Sequence, residues 1–263
     1  MTWLTALPVG LLVAASVVVA LAVAAASRYA LTAVVRPEDG DHVHAIAAPL
    51  MPALGATFAV LVALTLANEA NNLRAAQDTV SREAAEASRL AWAATSPRVD
   101  TAPIQGALAD YLVATRSGEW RGVDESGDAD ATTAEALARL ERVVRDDAAR
   151  AELGTPASTE LLAALDAVAE GRRARIAAAD RDLPALYVAT LVASGVALIV
   201  NASALAFRAS FRASLLVAVL ACVVGLSLSL LFAIAAPWDG GLVASGEPLD
   251  AVLRDLESGF FAS

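Results

Sequence analysis

Residues 183–207 read LPALYVATLVASGVALIVNASALAF, with no charged side chain in the stretch. A bilayer core about 30 Å thick is crossed by roughly 20 apolar residues rising 1.5 Å each. The stretch is therefore long enough to span. Three more charge-free runs share that property, at 1–27, 45–68 and 213–238. Together they form two pairs around one polar middle. The layout predicts an all-α protein with four transmembrane helices and a helical extramembrane domain between helices 2 and 3. Its expected divisions are 1–68 for the first two spans, 69–182 for the extramembrane domain, 183–238 for the last two spans and 239–263 for a short tail.

The charge distribution supports the division. Of the 29 acidic and 19 basic residues, 21 and 14 fall between Glu69 and Asp182, giving that segment a net charge of −7. All the basic residues are Arg, which fits a GC-rich bacterial coding bias. An acidic balance argues against nucleic acid, because phosphate binding needs a clustered basic surface. The tightest basic group, Arg172, Arg173 and Arg175, has acids on both sides. Cys222, the only cysteine, lies inside the fourth run and reads as packing. The first run has no Arg or Lys before Leu11 and exceeds the usual 7–15 residues of a signal peptide, so it reads as an uncleaved span.

A polar loop is expected from Arg28 to His44, and Pro49 and Pro52 make the entrance to the second span irregular. No breaker follows Leu66. The second helix should therefore leave the membrane through Asn71, Leu73, Val80, Ala84, Ala87 and Leu90, whose spacing is that of an amphipathic helix. Pro97 ends it. A second extramembrane helix is expected to start at Asp100 or Thr101, with Pro103 in its first turn, and to end near Glu119. The acidic stretch 122–130 reads as a solvated loop without EF-hand spacing. A third helix follows at Thr132–Leu153, stopped by Gly154, and a fourth starts at Thr155-Pro156. Strand patterns are absent. The tail should carry a short amphipathic helix bearing Leu249, Val252, Leu253 and Leu256.

Polar residues within spans face protein or a water path rather than lipid. Thr190, Ser194 and Asn201 fall on one 40° stripe of the third span at 100° per residue. They are candidates for pore lining or for helix contact. Arg208 and Arg212, in the turn between the last two spans, are candidates for a ring of charge at a pore mouth or for fixing topology. Gly225 and Ser229 read as a close helix contact. His42 and His44 form the only group with metal-ligand character, and no second histidine pair joins them, so no metal is expected. No nucleophile with its base and no phosphate-cradling glycine loop is present, so no enzyme and no cofactor is expected. The absence of charge within the spans counts against proton-coupled transport.

Several local patterns resemble the bestrophin-like domain family. They are Ala59 to Asn71, then Val80-Ser81-Arg82-Glu83-Ala84, then Tyr111 with Glu119-Trp120. Arg172-Arg173-Ala174-Arg175 before Leu183-Pro184, and Pro237-Trp238-Asp239-Gly240-Gly241 before Ser245, Glu247 and Pro248, complete the set. The family commonly carries an acid just before the proline that closes the fourth span, where this chain has Ala235 and Ala236. The resemblance implies a homo-oligomer, a pentamer in bestrophins proper, that passes small anions through a pore lined mainly by the second span. The reading that follows is a multi-pass protein of the bacterial inner membrane, surrounded by lipid and forming an anion channel. The alternative is a non-conducting scaffold or sensor whose middle domain binds a partner or ligand. Orientation stays open. Arg28, Arg36, Arg208 and Arg212 favour short loops in the cytoplasm, whereas the resemblance places the middle domain there.

Overall fold

The computed structural model describes residues 9–36, 39–118, 128–150, 154–179, 185–207, 211–234 and 244–262. Among them the only regular structure is helix, with turns between the helices and no strand. In chain order the elements are α1 (Val9–Val34), α2 (Gly40–Ala93), α3 (Thr101–Ser117), α4 (Asp128–Ala148), α5 (Thr155–Ala179), α6 (Ala185–Leu205), α7 (Phe211–Ile234) and α8 (Glu247–Glu257), with a 3₁₀ turn at Phe260–Ala262. Four of them, α1, α2, α6 and α7, are long and apolar enough to cross a membrane. The chain divides into two compact units. One gathers the described residues up to Asn72 with those of 185–234, and the other those from Leu73 to Ala179 with 244–262.

In the first unit α1 packs on α7 and α6, and Phe58 of α2 joins their core with Leu191, Leu198, Ile199, Val224 and Leu231. Small residues set the spacing. A Cβ added to Gly225 would lie 2.9 Å from the Ser16 carbonyl oxygen and from Val17 Cα, so α7 meets the bare backbone of α1 there. That is how helices associate where lipid removes the hydrophobic drive between them. At Gly195 a Cβ would lie 3.0 Å from Val224 Cγ1 and 3.2 Å from the Phe58 ring. Tyr29, late in α1, and Tyr187, at the start of α6, are both exposed. Tyrosine gathers at membrane–water boundaries, where its ring meets hydrocarbon and its hydroxyl meets water.

The link between α1 and α2 is shorter than expected. Helix persists to Val34 and resumes at Gly40, so His42 and His44 are exposed first-turn residues of α2 rather than loop residues. Pro49 and Pro52 lie inside α2 instead of at its entrance. Each proline removes the N–H that the carbonyl four residues earlier would accept, here Ala45 and Ala48. Asn201 of α6 supplies a donor within that stretch, its Nδ2 donating to the Ala47 carbonyl at 3.1 Å. Ala47 is not one of the two freed carbonyls, so this bond ties α6 to the proline-bearing stretch of α2 rather than replacing a lost helix bond.

The second unit is a helical bundle. α3 packs on α4, α4 on α5, and α8 returns to α3. The apolar stripe Val80, Ala84, Ala87, Leu90 of α2 is buried with Ile104, Leu108, Leu112, Leu140, Leu161, Leu165 and Val168. Each fully buried Leu or Ile contributes about 1.5–3 kcal/mol. Leu249 and Val252 of the expected tail helix, with Phe261, belong to the same core, and Leu253 and Leu256 pack at its edge. Arg116 holds that helix down, donating to Asp250 through Nε at 2.7 Å and Nη2 at 3.0 Å across Gly246.

Helix ends differ in detail from the sequence reading. Asp100 makes no side-chain cap; instead the Thr101 hydroxyl donates to the Ala94 carbonyl at 2.8 Å, tying the start of α3 to the preceding turn. α4 ends at Ala148, and Gly154, with φ +69°, turns the chain just ahead of α5. Only glycine adopts that conformation without strain. The acidic stretch expected as a loop lies outside the described residues up to 127, and 128–130 already belong to α4.

Candidate functional site

The stripe of the third span does not behave as one surface. Thr190 is exposed and its hydroxyl donates to its own helix, to the Leu186 carbonyl at 2.8 Å. Ser194 has a buried Oγ without a protein partner. Asn201 is buried against α2, between the Ala47 carbonyl and Met51 Sδ at 3.5 Å. Asn201 thus serves a helix contact within one copy. Arg212 is an exposed residue at the start of α7, and Arg208 lies outside the described residues. Among the described residues no group of three or more His, Cys, Asp or Glu side chains is gathered as metal ligands.

Beside this, a cavity of about 190 Å³ opens between α1, α6 and α7. Its walls are Leu21, Ala24, Ala206, Val217 and Ala218, and Arg28 and Ser214 also line it. The Arg28 guanidinium donates to the Ser214 hydroxyl.

The most heavily buried polar cluster lies in the other unit, on residues that the sequence reading did not bring together. Glu83 and Arg175, 0% and 3% exposed at their side chains, form an ion pair with Arg175 Nε 2.7 Å from Glu83 Oε2. Arg175 Nη2 stands 3.5 Å from Oε1, and the Tyr111 hydroxyl donates to the same Oε1 at 2.5 Å. One carboxylate thereby joins α2, α3 and α5. Burial, and after it the Glu83 charge, push the Tyr111 phenol far above the ordinary tyrosine range, with Arg175 and Thr115 pulling the other way. The phenol therefore stays a proton donor. α5 can approach because residue 171 is glycine: a Cβ there would lie 3.1 Å from Glu83 Cβ and 3.2 Å from its Cα.

A signal for this cluster was present in the periodicity. Glu83 falls on the stripe of Val80, Ala84 and Ala87, and Arg175 lies seven residues beyond Val168 on the stripe of Leu161 and Leu165. A charge on an otherwise apolar stripe implies a buried partner.

The cluster also collects pieces of sequence quoted above as family-like. Glu83, Tyr111 and Arg175 each come from a different matched stretch, and Ser245, from a fourth, pairs with Gln77 through its N–H at 2.6 Å and its carbonyl at 3.2 Å. The bestrophin-like domain profile matches residues 14–249. The chain belongs to the bestrophin-like domain family, and with its four apolar helices it is a membrane protein. No curated protein and no solved structure matches it.

Proposed function

We propose that this chain is one subunit of a homo-oligomeric channel for small anions in the bacterial inner membrane, with no catalytic role. The observation that carries the reading is the exposure of α2. Within one copy only 6% of its apolar window is buried, against 44% for α6. A span left so bare by its own chain has surface for other copies, and by family resemblance it is the span that lines the pore. The cavity among α1, α6 and α7 is far too small for a path across the bilayer, so conduction requires assembly. Charge-free spans suit a channel, in which hydroxyl and backbone dipoles with Arg at the mouth suffice, better than proton-coupled transport.

Purified protein in liposomes should release or admit chloride and show one discrete oligomer, a pentamer, in mild detergent. A monomer that persists in nanodiscs, or liposomes no leakier than empty ones, would remove the channel. The second reading, a scaffold or sensor, draws on Trp92 and Phe260, which stack edge to face with centroids 5.7 Å apart while staying 45% and 55% exposed. Exposed aromatics of that size mark surfaces where partners bind.

A further inference from the structure

We propose that the cavity between α1, α6 and α7 is a binding site for one anionic phospholipid, its phosphate on Arg28 and the upper part of one acyl chain in the slot beside it. This goes beyond the channel reading and does not depend on conduction. Arg28 is the first charged residue after the charge-free run of α1. Tyr29 beside it is 77% exposed, as a ring at headgroup depth would be. Among the described residues no carboxylate pairs with Arg28; its partner is the neutral hydroxyl of Ser214. A guanidinium has five donors in a fork matching two phosphate oxygens, so one bond to a hydroxyl leaves most of that capacity for a ligand.

The slot itself repels a bare anion. Its lining is alkyl carbon from Leu21, Ala24, Ala206, Val217 and Ala218. Ser203, the remaining hydroxyl, is turned away, its Oγ donating to the Ile199 carbonyl at 2.8 Å. A cation above an apolar slot fits a molecule that is anionic at one end and hydrocarbon at the other. Basic pockets between spans at the membrane boundary bind acidic lipid headgroups for this reason.

Native mass spectrometry and melting in dodecyl maltoside with added phosphatidylglycerol, phosphatidylcholine or sodium phosphate test the proposal. Phosphatidylglycerol should be retained and raise the melting point. Arg28→Gln should weaken its retention about tenfold, the loss expected for one charge-assisted contact. Ala218→Phe keeps the cation but fills the slot, and should weaken retention as well. Equal stabilisation by sodium phosphate would make this a site for free anions and overturn the lipid. Equal retention of phosphatidylcholine, or unchanged binding in Arg28→Gln, would overturn the role of charge. Arg28 is exposed, so its variant should fold; if it does not, Ala218→Phe and the phosphatidylcholine arm still decide.

Discussion

In the unit built on α1, α6 and α7, the buried hydroxyls of Ser203 and Ser229 answer to their own helix. Ser203 donates to Ile199 and Ser229 to Leu226, each at 2.8 Å, three or four residues back. In the bundle of α3, α4 and α5, the buried charges of Glu83 and Arg175 answer to one another from different helices, across 92 residues of sequence. Each solution fits its surroundings. Among spans, hydroxyls satisfied locally cost little and let backbones approach, as at Gly225. In the bundle, a buried ion pair adds little net stability, yet it penalises every arrangement that separates its partners. The membrane unit is thus held by closeness, and the bundle by complementarity.

Separating the bundle's charges should do the most damage. Arg175→Ala leaves Glu83 buried without its counter-ion and should cost about 3–5 kcal/mol in denaturant unfolding. The double variant Glu83→Leu with Arg175→Met should recover much of that loss. If each single change instead cost as little as a surface pair, the cluster would not be what distinguishes the two units.

Tyr111→Phe removes one hydrogen bond to a carboxylate and should cost about 1.5–3 kcal/mol. It should also alter the alkaline limb of stability. The folded phenol holds its proton well above the unfolded value of about 10, so the native state binds more protons than the unfolded chain above that pH. Stability should therefore fall by about 1.4 kcal/mol per pH unit above pH 10 in the wild type. In Tyr111→Phe that component should vanish, which a melting series from pH 8 to 11 would reveal.

Glycine contacts allow a matched test in both units. Gly171→Ala and Gly225→Ala each press a methyl against backbone, and each should cost about 1–3 kcal/mol as overpacking. Gly195→Ala meets side-chain ends and should cost less. The smallest effect should come from Asn201→Leu, about 0.6 kcal/mol, the average for a polar contact between spans. A lower melting point with unchanged anion flux would confine Asn201 to helix contact, while reduced flux from an intact oligomer would return it to the pore.

Much of the fold was legible because spans and amphipathic helices are local patterns. The charge-free run at 183–207 and the stripe from Val80 to Leu90 depend on nothing beyond their own helices. The prolines of α2 misled, because the cost of two lost N–H groups is set by the packing of the whole span and not by the local pattern. Hydroxyls misled likewise. Thr190 shares a stripe with Asn201, but a short hydroxyl can return to its own backbone, whereas an amide on a longer stem reaches across. The pairing of Glu83 with Arg175 stayed hidden among neighbouring charges at Arg82, Glu86, Arg172 and Arg173. Only position on the apolar stripe separates the buried members from the solvated ones.

The packing of α8 against α3 has a consequence for the order of events during synthesis. A nascent chain presents α2, α3, α4 and α5 before α6 and α7, and α8 emerges last. Leu249, Val252 and Phe261 are thus unavailable while the last two spans are being threaded into the bilayer. The bundle waits with part of its greasy interior uncovered, at the stage when incomplete domains are most prone to aggregate. Sealing by α8 therefore comes after α7 in the order of translation.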